Sequence, residues 1–186
     1  MEMIEIKIGD NEWNYGLQKA LLFVDDVIIT NKDEYARRGQ SNIDRIKNQI
    51  LDGKMTEFAY MISAYPKCNY EISFEILNPS DKNHDADLIS LDAKYPHIQV
   101  KGASHYADDR SWVFQDKAII KYNNLYPKEK FALCDLDKDK KILHIIAIMS
   151  WKDIFPLLKD CKSNTVKDNK KAVYESDIPK PLQVSR

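Results

Sequence analysis

Between positions 42 and 65, the apolar residues Ile43, Ile46, Ile50, Met55, Phe58 and Ile62 recur every three to five positions. That spacing predicts a long amphipathic helix, with Gly53 as a point of interruption and Pro66 as its end. Upstream, "WNYGLQKALLFVDDVIIT" at 13–30 suggests another helix, although "DDVIIT" also fits an extended segment. The pattern then changes period. "YEISFEIL" at 70–77 alternates as a strand does, and "NPSDKN" after it reads as a turn or loop. "DADLIS", the connector "LDAKYP" and "HIQVK" together predict an antiparallel β-hairpin, with Ile98 and Val100 on one face and Gln99 and Lys101 on the other. "KFALCDLD" and "KILHIIAIM" flank "KDK" as a second strand pair, "WKDIFPLL" reads as a short helix containing Pro156, and "KKAVYESDI" as a last strand. These elements predict an α/β (α+β) domain with helices around a mixed sheet.

The chain has 186 residues, 44% hydrophobic and 31% charged, with no repeats, low-complexity stretch or Gly/Pro/Ser-rich linker, so a single domain spanning 1–186 is expected. The longest apolar stretch, "ILHIIAIM" at 142–149, contains His144 and is far shorter than the ~20 residues that cross a bilayer. "MEMIEIKIGD" carries acids where a secretory signal has a basic region, which makes the cytoplasm the expected location. Cys68, Cys134 and Cys161 are odd in number and widely spaced, so reduced thiols are expected rather than disulfides or a zinc ribbon. Net charge is −1, but it is distributed unevenly: residues 1–116 hold 13 Lys and Arg against 20 acids, and residues 117–171 hold 13 Lys against 7. The basic half is either a solvated lysine-rich surface or a phosphate-binding face.

Candidate chemistry gathers around the first hairpin. Asp87 opens one strand, and Gln99 and Lys101 lie on the polar face of the next, so the three converge at one end of the sheet. Glu57 shares a helix face with Ile50, Gly53, Met61 and Ala64, and a carboxylate on so apolar a stripe needs a partner. "GKMTEFA" at 53–59, "DADLIS" with Asp87, and "QVK" at 99–101 resemble, in that order, the PD-(D/E)xK nuclease superfamily. "SWVFQ" at 111–115 and "KKAVYES" at 170–176 look similar to its phage and restriction-type members.

The resemblance implies a restriction-endonuclease-like fold and a DNA nuclease dependent on Mg²⁺, with Mn²⁺ able to substitute, cutting by direct water attack. Asp87 would be the central metal ligand, Gln99 and the main-chain carbonyl of Val100 further ligands, and Glu57 a holder of water or of a second ion. Lys101 would orient the attacking water or stabilise developing charge. A homodimer is also implied, because double-strand cutters often act as dimers. The chain departs from the commonest pattern at Gln99, where Glu or Asp is usual; an amide can ligate, but brings no charge, so weaker metal affinity is expected.

Plainer readings stand beside these. Asp87 can be a turn-capping acid, Gln99 and Lys101 a solvent-facing row, and Glu57 a surface acid paired with Lys54. Trp112, Phe114, Tyr122 and Tyr126, with Lys117 and Lys121, are either a base-stacking region or core aromatics. Lys117, Lys121, Lys170 and Lys171 are the candidate phosphate contacts. His84 with Asp85 fits no hydrolase signature, and Ser104, His105 and Asp108 are too local for a triad. The alternative function is a catalytically silent nucleic-acid-binding or partner-binding domain.

Overall fold

A computed structural model of the protein describes residues 4–37, 42–64, 70–72, 87–90, 98–106, 109–125, 130–162 and 170–179. Helix α1, Asp10–Arg37, is longer than expected and includes "DDVIIT", because Val24 and Val27 extend the buried stripe begun by Trp13 and Ala20. Asn31 alone leaves helical geometry within it, its side-chain amide donating to the carbonyl of Val27 at 3.1 Å. Helix α2, Ile43–Ala64, starts at Asn42, whose side-chain oxygen accepts the Arg45 N–H at 2.9 Å. It runs through Gly53 without a break: packing by Met55, Phe58 and Ala59 outweighs the roughly 1 kcal/mol that a mid-helix glycine costs.

The strands are β1 (Ile4–Lys7), β2 (Tyr70–Ile72), β3 (Leu88–Ser90), β4 (Ile98–Gly102), β5 (Ser104–Tyr106), β6 (Asp109–Gln115), β7 (Lys130–Asp137), β8 (Ile142–Ser150), β9 (Lys159–Asp160) and β10 (Lys170–Tyr174). Helix α3 spans Asp116–Leu125, and α4, Trp151–Ile154, passes into a 3-10 turn holding Pro156. The predicted hairpin forms as β3 against β4, with Leu88 opposite Ile98, and the second pair forms as β7 against β8. The loop between β3 and β4, and the continuation of "YEISFEIL" past Ile72, lie outside the described residues.

One sheet is six-stranded, in the order β1-β8-β7-β4-β3-β2, and among the described residues it is mixed through a parallel β4–β7 pair. A second, four-stranded sheet, β5-β6-β10-β9, is absent from the sequence-based expectation. β7 shows how the two meet. Ala132 and Cys134 join the core formed with Met55 and Ala59 of α2, whereas Phe131 and Leu133 join Trp112 and Phe114 of β6 and Val173 of β10. The fold is therefore mixed α/β, with α1 and α2 on one face of the large sheet and the small sheet packed on the other. The Trp112 indole N–H donates to the Cys134 carbonyl at 3.0 Å across that second junction. Cys134 and Cys161 are free thiols.

Candidate functional site

Asp87 stands one residue before β3, so continuing the Leu88–Ile98 register by one step brings it across from Gln99. Its carboxylate Oδ2 accepts the backbone N–H of Val100 at 2.8 Å. That bond fixes the acid to β4. On α2, Glu57 accepts a hydrogen bond from the Lys54 ammonium at 2.6 Å, and their side chains are only 13% and 14% exposed. Lys54 also lies 4.7 Å from the centre of the Phe23 ring of α1, a cation–π contact that holds it in place. The i, i+3 pairing expected of a surface acid is present, but the surface is not.

Burial dominates the setting of Glu57. Removal from water, and then the negative charge of Asp87, push its carboxyl up to about 7, while Lys54 and Lys101 pull it back. Asp87, just before β3, and Lys101, near the end of β4, thus both lie within electrostatic reach of Glu57 on α2. Gln99 stands differently. It is 5% exposed, so it belongs to no solvent-facing row. The alternation of β4 puts Ile98 and Val100 in the core beneath α2, and aligns Gln99 and Lys101 with Phe131 and Leu133 of β7 on the other face.

A divalent cation can be weighed against these groups. Among the described residues no three His, Cys, Asp or Glu side chains gather to hold a metal. Glu57 and Asp87 are oxygen donors within electrostatic reach of each other, with Lys54 and Lys101 acting on the Glu57 carboxyl. That chemistry suits a hard cation of the Mg²⁺ class.

A cleft of about 560 Å³ opens between the first half of α2 and the small sheet, and Glu57, Asp87, Gln99 and Lys101 are not among the residues that line it. Thr56 and Gly102, neighbours of Glu57 and Lys101, line one side, and Gln115 and Lys170, a cross-strand pair, line another. A Cβ on Gly102 would lie 3.2 Å from the Thr56 hydroxyl, so glycine lets β4 approach α2 closely. A Cβ on Gly53 would meet nothing within 4 Å, because it faces the open cleft.

The four candidate lysines do not act as one group. Lys170 lines the cleft, whereas Lys171 pairs with Asp160 of β9 at 2.5 Å. On α3, Lys117 is exposed and Lys121 lies 6.0 Å from the Tyr122 ring centre. The aromatic reading resolves toward packing: Trp112, Phe114 and Tyr122 are buried, and Tyr122 stacks edge-on against Phe131 at 5.0 Å. Tyr126, His84, Asp85, Asp108 and Cys68 lie outside the described residues. Sequence reasoning missed Gln115 and Thr56 as cleft residues; only the β6–β10 pairing and the Gly102 contact reveal them. No family model, no curated protein and no solved structure matches this chain.

Proposed function

We propose that this chain is a metal-dependent DNA nuclease of the PD-(D/E)xK type, with the restriction-endonuclease-like fold. It cuts phosphodiester bonds to leave 5′-phosphate and 3′-hydroxyl ends. The observation that carries the reading is the joining of Glu57, Asp87 and Lys101, from three separate elements, into one electrostatically coupled corner. When bound, a Mg²⁺ or Mn²⁺ ion polarises the scissile phosphate. Asp87, fixed by Val100, and Glu57, neighboured by Lys54, are the acids that would hold it, with Gln99 and the Val100 carbonyl completing the oxygen set. The Lys101 ammonium orients a water oxygen toward phosphorus and offsets the charge that develops on the phosphoryl oxygens as the P–O3′ bond breaks. The attacking water forms the new P–O bond and releases one proton to solvent, and the departing 3′ oxygen takes up one from solvent water. Lys170 places a basic contact in the adjoining cleft, where a flanking phosphate can sit.

A second reading is favoured by the Lys54–Glu57 pair. Lys54 and Lys101 already oppose the charges of Glu57 and Asp87, so the corner can be a closed ionic cluster in a catalytically silent nucleic-acid-binding or partner-binding domain. Calorimetry with Mg²⁺ and Mn²⁺, paired with cleavage assays on plasmid, single-stranded DNA and RNA, separates the two. Metal binding with cleavage is expected; a folded protein that takes up neither ion and cuts no substrate sinks the nuclease reading. Gln99→Glu adds a carboxylate and should tighten Mg²⁺ binding by about tenfold. Unchanged affinity in the folded variant would show that Gln99 faces no metal.

A further inference from the structure

Helix α1 is apolar on two opposite faces. Trp13, Ala20, Val24 and Val27 form its buried stripe. Tyr15, Leu22 and Ile29 recur at intervals of seven and are 56%, 60% and 76% exposed. At 100° per residue, these three fall within about 20° of one line, opposite the buried stripe, with the Tyr15 ring also reaching Phe58 of α2 at 6.2 Å between centres. A helix that only covered a sheet would be polar there. Along about 21 Å of its length, α1 instead presents large apolar side chains at the spacing by which two helices interlock.

The charges flanking the stripe select its occupant. Lys19 and Gln18 lie on the N-terminal side of Leu22, and Asp25 and Asp26 on the C-terminal side, all four exposed. If a second α1 lies antiparallel across a two-fold axis at Leu22, each residue n positions before Leu22 meets the residue n positions after it in the other chain. Tyr15 then meets Ile29, Leu22 meets Leu22, Lys19 meets Asp25, and Gln18 meets Asp26. Every pair is apolar with apolar, opposite in charge, or a donor with an acceptor. Asp25 is steadied through Oδ1 by Lys47 of its own chain at 2.7 Å, so the incoming Lys19 meets a carboxylate already held in position. A lipid surface is a poorer match, since helices that lie on membranes carry Lys and Arg along their polar face, and here two of the four flanking side chains are acidic.

We propose that the exposed face of α1 is a self-association surface, on which two copies of this chain pair antiparallel about Leu22. A single helix pair is a small interface, so the association depends on concentration across the micromolar range. The proposal does not depend on nuclease activity.

Sedimentation velocity over that range, with circular dichroism to confirm folding, tests it. The wild type should shift from monomer to dimer, and Leu22→Asp and Ile29→Asp should each remain monomeric at every concentration. Lys19→Asp and Asp25→Lys should each weaken the dimer, whereas the double variant restores opposite charges across the two-fold axis and should recover it. A wild type that stays monomeric, a dimer indifferent to Leu22→Asp, or a double variant as weak as the single ones would overturn the proposal. So would a monomeric wild type that binds phosphatidylcholine vesicles through Leu22, because the stripe would then serve a lipid surface.

Discussion

Two pairs of carboxylates lie near the cleft, and the molecule treats them differently. Asp135 and Glu175 share Arg110, which reaches Asp135 at 2.8 Å and Glu175 at 3.1 Å. One planar guanidinium answers both acids with directed bonds. Among the described residues Glu57 and Asp87 share no such clamp. Glu57 is bonded by Lys54, Asp87 by a backbone N–H, and burial first and the charge of Asp87 second raise the proton affinity of Glu57. The first arrangement ties β6 to β7 and to the turn after β10. The second keeps a carboxyl in a partly dehydrated place beside a lysine, where burial rather than a directed clamp sets its proton affinity.

The sharpest way to break this contrast is to remove the clamp. Arg110→Ala removes both of these directed ion pairs at once, and should cost about 3 kcal/mol in denaturant unfolding. A loss well under 1 kcal/mol would mean that the clamp is not structural. At the other corner the expected loss is in function. Lys101→Ala should lower the cleavage rate by on the order of 100-fold while the fold survives, measured with Mn²⁺ on plasmid; full activity in that variant removes Lys101 from the reaction.

Glu57 gives a test with a definite sign. Its carboxyl is raised from 4.5 to about 7 in the folded chain, so between these values the folded state holds a proton that the unfolded state has released. Stability contributed by this group therefore falls as pH climbs from 4.5 to 7, and stays low above that. Glu57→Gln should be close to neutral at pH 5 and stabilising by roughly 1 to 2 kcal/mol at pH 8 without metal. A variant equally or more destabilised at pH 8 would mean that Glu57 is satisfied by Lys54 alone. The smallest effect concerns the lysines of β10. Lys170→Glu, which alters the cleft, should lower the salt slope of DNA binding by roughly 0.9 or more, whereas Lys171→Glu, already paired with Asp160, should change it little. Equal slopes for the two variants would remove the cleft from the binding surface.

How far the sequence speaks follows the range of each interaction. Helix α2 was legible because its pattern is local, and the Lys54–Glu57 contact because i, i+3 neighbours share a helix face. The two hairpins were legible because each joins strands close together in the chain. The small sheet was not, since β6 pairs with β10 across more than 50 residues, and β9 and β5 are too short to signal themselves. The same distance hid the pairing of Gln115 with Lys170. Trp112 and Phe114 could not be assigned because base stacking and core packing ask for the same side chains; only the apposed Phe131 and Trp151 decide for the core. The reason for glycine at 102 was not legible either, because Thr56, which a Cβ there would crowd, sits on another element.

β1 sets a timetable for folding. Its residues Ile4 to Lys7 pair with Ile145 to Ile142, so this short strand has no ladder until β8 has left the ribosome. Closing so long a loop costs entropy before any contact repays it, and the parallel β4–β7 pair and the β6–β10 ladder add the same burden. The chain should therefore fold in milliseconds to seconds rather than microseconds, with Ile4 and Ile6 awaiting their partners through most of translation.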